Sequence, residues 1–242
     1  MFNNEAFRGP KQVWMTGVTA GDHGLVAVGW RDQKASGGRE GGVIWASADG
    51  RDWDLITGDL GGTHEEGVTD TAVTSEREVV AGGPGYVMVG ADERGGDPIW
   101  VSEDGREWTQ IKDRDLPRGC CELNAVAVGG PGLVAINPGG TAHSPDGLDW
   151  ERGPEAFNPR NLKRTGASTI TAFGDEVIAT GLDENRPGAW RSHDGQYWQR
   201  LELPFGKKGG HNTLRIATEF GDEVIAISRN GTVYIGSLAP LD

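Results

Sequence analysis

The chain has 242 residues with 36 acidic and 23 basic side chains, and the resulting formal charge of −13 works against binding to nucleic acid or another polyanion. Its 40 glycines and 12 prolines are too many for a packed helical domain yet too few for a disordered chain, and nine tryptophans supply apolar surface for a sizeable core. No apolar run approaches the roughly 18 residues that cross a bilayer as a helix, and the N-terminal Met-Phe-Asn-Asn-Glu lacks the basic and apolar regions of a signal peptide. A soluble protein without membrane insertion is expected; a secreted protein trimmed of its leader would look the same.

Residues 2–9 precede the first strand and belong to no repeat of their own. The strand Gly17-Val-Thr-Ala20 runs through the turn Gly21-Asp-His-Gly24 into the apolar, β-branched run Leu25-Val-Ala-Val-Gly29. After a long connection, a third strand carries Trp45 into the loop Ser47-Ala-Asp49-Gly50-Arg-Asp-Trp53, and a fourth strand begins at its tryptophan. The same order recurs. Gly83-Pro-Gly85 precedes Tyr86-Val-Met-Val-Gly90, and Trp100 leads into Ser102-Glu-Asp104-Gly105-Arg-Glu-Trp108. Gly130-Pro-Gly132 precedes Leu133-Val-Ala-Ile-Asn137, with Ala142 in the place of the first tryptophan before Ser144-Pro-Asp146-Gly147-Leu-Asp-Trp150. Gly174-Asp-Glu176 precedes Val177-Ile-Ala-Thr-Gly181, and Trp190 leads into Ser192-His-Asp194-Gly195-Gln-Tyr-Trp198. A fifth unit has Val224-Ile-Ala-Ile-Ser228 and the hairpin turn Asn230-Gly231, but neither loop nor fourth strand after it.

The loop aspartates fall 55, 42 and 48 residues apart, so five units of about 48 residues fill the chain. Each unit reads as a four-stranded meander that cannot bury both faces alone, and radial stacking of such units gives a propeller. The expectation is an all-β fold: a five-bladed β-propeller of four-stranded antiparallel blades in one domain, 1–242, with blades near 11–60, 71–113, 122–154, 164–204 and 212–238. Residues 2–9 are expected to close the ring as the outer strand of the fifth blade, which also removes an exposed edge.

In Ser-x-Asp-Gly-x-x-Trp the aspartate can accept backbone N–H groups of its own turn, the glycine takes positive φ and the tryptophan packs into the blade. This loop resembles the Asp-box, or BNR, repeat of sialidases and of many non-enzymatic propellers, one residue shorter than the usual form. The resemblance implies a structural role for Asp49, Asp104, Asp146 and Asp194, which recur once per blade. Phe7-Arg8-Gly9-Pro10 is similar to the arginine motif that precedes the first sialidase blade, and by that resemblance Arg8 would bind a substrate carboxylate. Arg152-Gly153-Pro154 repeats the pattern after a loop tryptophan, so the motif also reads as the exit from an outer strand. Sialidases have six blades and a tyrosine–glutamate nucleophile pair. No such pair can be placed here, because Tyr197 lies inside a loop and Tyr234 takes the slot of a first tryptophan.

A site is expected on the face opposite the Ser-x-Asp-Gly-x-x-Trp loops, where connection lengths vary. Counting back from the glycine turns puts Thr16, Arg77, Asn124, Ser168 and Arg215 in one column around the channel. The two arginines could hold an anionic or hydroxylated ligand, or bridge carboxylates such as Glu76, Glu78 or Glu219. One entrance collects Trp14, Glu122, Thr213, His64 and His211, with Trp30 nearby. The ligand-binding set is therefore Trp14, Trp30, His64, Arg77, Asn124, His211 and Arg215. Adjacent Cys120 and Cys121 can close only a small strained ring and read as reduced thiols. No metal or cofactor is expected.

The leading expectation is a monomeric, non-catalytic propeller that binds a glycan or a protein through the variable loop face. A glycoside hydrolase would need two carboxyl groups at a suitable separation, drawn from acids such as Glu65, Glu66, Asp92 or Glu122 and aided by Arg77, Arg215 or Arg8. An assembly module is the third reading.

Overall fold

The computed structural model describes residues 13–31, 41–56, 78–90, 99–111, 123–130, 132–137, 140–154, 156–157, 165–184, 186–203, 214–221, 223–228 and 231–237. These residues form five antiparallel sheets and no helix, in agreement with the all-β expectation. The first sheet comprises β1 (Val13–Gly21), β2 (Gly24–Arg31), β3 (Gly41–Ser47) and β4 (Asp54–Ile56). The second comprises β5 (Glu78–Gly82), β6 (Gly85–Val89), β7 (Ile99–Ser102) and β8 (Thr109–Gln110). The third runs through β9 (Ala125–Gly129), β10 (Gly132–Ile136), β11 (Thr141–Ser144) and β12 (Glu151–Arg152). The fourth has β13 (Gly166–Phe173), β14 (Glu176–Asp183), β15 (Arg186–Ser192) and β16 (Gln199–Arg200). The fifth has three strands among the described residues, β17 (Leu214–Phe220), β18 (Glu223–Ser228) and β19 (Val233–Ser237). Each sheet pairs its strands in chain order. The fourth strands are only two or three residues long and begin just after the loop tryptophan. The expected outer strand at residues 2–9 lies outside the described residues.

The chain divides into two compact units. One contains residues 1–117, 121–124 and 146–149, and the other 118–120, 125–145 and 150–242. In the first unit, Val26, Val28 and Ile44 of the first sheet pack with Val79, Tyr86, Met88 and Trp100 of the second. The second strand of each sheet is the apolar run of its repeat, and β6 and β10 are buried at four of their five positions, as strands covered on both faces should be. Burial pushes the Tyr86 hydroxyl's pKa up, and that hydroxyl donates to the Gly24 carbonyl at 3.0 Å, tying β6 to the first turn of the first sheet.

In the second unit, Val134 and Ile136 pack with Val177, Ala179 and Trp190, and Phe157 stands edge-on to Trp190 and Trp198 with centroids 5.3 and 4.9 Å away. Ala189 packs in turn with Leu214, Ala217 and Ala226. Trp45, Trp100 and Trp190 fill the same buried position in three sheets. Where the third sheet has Ala142 instead, the loop tryptophan Trp150 is itself buried, whereas Trp53, Trp108 and Trp198 stay half-buried.

Candidate functional site

The repeated loops close over their own aspartates. In the first, Asp49 Oδ1 accepts N–H groups of Arg51 and Asp52 at 2.8 and 3.0 Å, Ser47 Oγ accepts that of Gly50 at 2.8 Å, and Trp53 Nε1 donates to the Gly50 carbonyl at 3.1 Å. Asp104 receives Arg106 and Glu107 at 2.8 and 2.9 Å, and Asp194 receives Gln196 and Tyr197, each at 2.8 Å. Asp146 receives Leu148 and Asp149 at 2.9 and 3.0 Å.

These N–H donors favour the charged carboxylate. Those of Arg51 and Asp52 lower the Asp49 pKa, and those of Glu107 and Arg106 lower that of Asp104. At Asp194 burial pushes the pKa up, but the N–H groups of Tyr197 and Gln196, with the Ser192 hydroxyl, outweigh it and leave a net lowering. A carboxylate with a folded pKa below its unfolded value adds stability above the unfolded pKa and loses it as pH falls through the folded one. The melting temperature is therefore expected to decline below about pH 4, the ordinary aspartate range. Asp104→Asn keeps an acceptor oxygen but cannot titrate, so its decline should be shallower; thermal unfolding followed between neutral and acid pH checks this.

The loop glycines have φ of 74, 76, 80 and 71° at Gly50, Gly105, Gly147 and Gly195, a region that disfavours side chains. Three of them also lie against the second strand of the preceding sheet. A Cβ at Gly105 would run into Val26 Cγ2, one at Gly147 would lie 3.0 Å from Val87 Cγ2, and one at Gly195 would lie 2.6 Å from Val134 Cγ2. Arg106 adds an ion pair to Asp54 at 2.8 Å, and Gln196 Nε2 lies 3.3 Å from His143 Nε2.

At the opposite ends of the sheets, the first strand carries a bulge in three of the five. The register slips between Met15 and Gly17, between Ala167 and Thr169, and between Leu214 and Ile216, leaving Thr16, Ser168 and Arg215 at equivalent backbone positions. The Thr16 and Ser168 hydroxyls donate to the carbonyls of Val28 and Thr180, both at 3.3 Å. Asn124 is half-buried just before β9. Trp14 and Trp30 are cross-strand partners at the same end of the first sheet, so two candidate residues are brought together there. Arg8, His64, Arg77, Glu122 and His211 lie outside the described residues, as do Cys120 and Cys121. Among the described residues no three His, Cys, Asp or Glu side chains converge as metal ligands, and no helix is long and apolar enough to cross a membrane.

One device at this end carries no repeat signal in the sequence. Glu184, the hairpin residue after β14, has φ of 48°, and its N–H donates to Thr165 Oγ1 at 2.9 Å. Beside it Asp183 pairs with Arg200 Nε at 2.6 Å. The β14–β15 hairpin is thus pinned by Thr165, just before β13, and by Arg200 of β16.

No family model matches the chain, and no curated protein matches it in sequence. Solved structures do match in fold. A YCF48 bound to a D1 peptide is 12% identical over 93% of this chain and 64% of that one, with a TM-score of 0.55. YCF48 from Cyanidioschyzon merolae is 16% identical over 92% and 66% of the two chains, with a TM-score of 0.52. Trypanosoma rangeli sialidase with the inhibitor DANA is 14% identical over 94% and 45%, with a TM-score of 0.58. The chain spans less than two thirds of the length of each of these proteins, and the likeness is to the fold of sialidase-like β-propellers.

Proposed function

We propose that this chain is a non-catalytic Asp-box propeller module that binds a polypeptide partner at the sheet ends opposite its Ser-x-Asp-Gly-x-x-Trp loops. The observation that carries the reading is the use of the four recurring carboxylates. Each of Asp49, Asp104, Asp146 and Asp194 accepts two N–H groups of its own turn, which gives the chain's most regular acids work in folding and not in proton transfer. In the fourth sheet the pinned hairpin at Glu184 holds a backbone N–H on Thr165 at that end, and in the first sheet Trp14 and Trp30 are paired in register there. A polypeptide ligand is supported by the similarity in fold to a YCF48 bound to a D1 peptide.

The purified protein applied to a peptide array, a glycan array and a panel of fluorogenic glycosides is expected to bind peptides, with no turnover. Binding should weaken about tenfold or more in Trp14→Ala, the loss of one aromatic anchor. Glycan binding without peptide binding would replace the ligand class. Turnover abolished by Glu122→Gln or Arg215→Ala would overturn the reading in favour of a glycoside hydrolase.

A further inference from the structure

The chain contains four Asp-Gly steps, and all of them lie in the repeated loops, at Asp49, Asp104, Asp146 and Asp194. Such a step is the aspartyl linkage most prone to rearrange, because glycine has no side chain to hinder attack of its own amide nitrogen on the aspartyl side chain. In that reaction the glycine N–H gives up its proton, the nitrogen bonds to Cγ, and the carboxyl OH leaves with that proton as water, which closes a succinimide. Water then opens the ring. Opening at the main-chain carbonyl leaves the backbone running through the side chain as isoaspartate, with no net change in composition. The reaction needs an accessible glycine N–H and a neutral carboxyl, and no reagent besides water.

In the loops of the first, second and fourth sheets one serine engages both reacting groups. Ser47 Oγ accepts the Gly50 N–H at 2.8 Å and donates to Asp49 Oδ1 at 3.4 Å. Ser102 does the same for Gly105 and Asp104 at 2.8 and 3.3 Å, and Ser192 for Gly195 and Asp194 at 2.9 and 3.2 Å. The hydroxyl thus stands between nucleophile and electrophile. All three serines are buried, as are Gly105 and Gly195, so solvent base does not reach those glycine hydrogens in the closed loop. The same Oδ1 atoms accept the N–H groups of the turn, which favour the charged carboxylate and so withhold the neutral form that reacts.

A lapse would reach beyond the loop. Isoaspartate adds a methylene to the main chain and takes the Cγ carbonyl out of the turn as part of the backbone. At Gly105 and Gly195 the glycine lies so close to Val26 Cγ2 and Val134 Cγ2 that even an added Cβ collides, which leaves no room for a lengthened chain. One event would cost the loop both its turn and its seat on the second strand of the neighbouring sheet.

We propose that Ser47, Ser102 and Ser192 are positioning residues that hold their Asp-Gly steps closed to isomerisation, making each step an isoaspartate site that only an opened loop exposes. This is a role in chemical durability, separate from ligand binding at the opposite sheet ends.

The test incubates the whole protein beside a synthetic peptide of residues 101–107, Val-Ser-Glu-Asp-Gly-Arg-Glu, at near-neutral pH. Isoaspartate at each loop is read by peptide mapping and by enzymatic methylation of the isoaspartyl carboxyl. The folded chain is expected to convert Asp104 about tenfold or more slowly than the peptide, because a step closed by local structure reacts only from its open form. Ser102→Ala leaves the buried Gly105 N–H without its acceptor and should raise the rate at Asp104 by about tenfold, with Asp49 and Asp194 unchanged. Ser47→Ala is the parallel variant and should raise the rate at Asp49 alone. An equal rise at all three steps in either variant overturns the proposal, since the serine would then act only through overall stability. An unchanged rate at the loop of the substituted serine overturns it as well. So does conversion of the folded wild type at the rate of the peptide, a comparison that needs no variant to fold.

Discussion

Trp100→Ala is expected to lower stability by about 3–5 kcal/mol, the range for truncating a fully buried tryptophan. Trp100 is 1% exposed and sits in the cluster where the second sheet meets Val26, Val28 and Ile44 of the first. Against a typical stability of about 5–15 kcal/mol, that loss removes a large share of what holds the first two sheets together. Urea unfolding followed by hydrogen exchange checks it, with amides of β5–β8 losing protection before those of the fourth sheet. The division into two compact units makes a single two-state transition a poor assumption, so a per-segment probe is the right one. A loss under about 1 kcal/mol would mean that neighbouring side chains close over the vacated volume.

Gly105→Ala should cost about 2–5 kcal/mol through two separable effects. One is φ of 76°, which disfavours any side chain by about 1–2 kcal/mol. The other is the collision of the new methyl with Val26 Cγ2 in a packed interior, worth about 1–3 kcal/mol. Gly174→Ala is the reference: its φ is 55°, but nothing lies within 4 Å of the added Cβ, so it carries the backbone effect alone. Val26→Ala removes the colliding atoms, and in the double variant the penalties should add to less than their sum. Strict additivity would show that the loop moves aside. Equal losses at Gly105 and Gly174 would show that contact with β2 contributes nothing.

The sheets were legible because their signals are local. Runs such as Leu25-Val-Ala-Val-Gly29 have the composition of a buried strand, and Ser-x-Asp-Gly-x-x-Trp encodes a turn whose aspartate accepts N–H groups of its own residues. The inner column was legible only as positions. Counting from the glycine turns aligned Thr16, Ser168 and Arg215, but these side chains share no chemistry, because what they share is a slip in backbone register. Composition is silent about that. The burial of Trp150 in the sheet that carries Ala142 escaped for another reason: burial depends on the packing around a side chain, which no single position reports. The pinning of Glu184 by Thr165 joins residues 19 apart that neither repeat nor motif marks.

The three close approaches of a loop glycine to a valine, Gly105 to Val26, Gly147 to Val87 and Gly195 to Val134, use the same two parts each time. Each of these joints therefore has one socket and one plug of a common gauge. A whole unit could be copied, lost or moved along the chain without redesigning the joint on either side, whereas a change to one half of a joint must be matched in the repeat next to it. Selection on such a protein acts across the seam between neighbours, so the natural unit of inheritance is the repeat while the natural unit of compensation is the pair that straddles two of them.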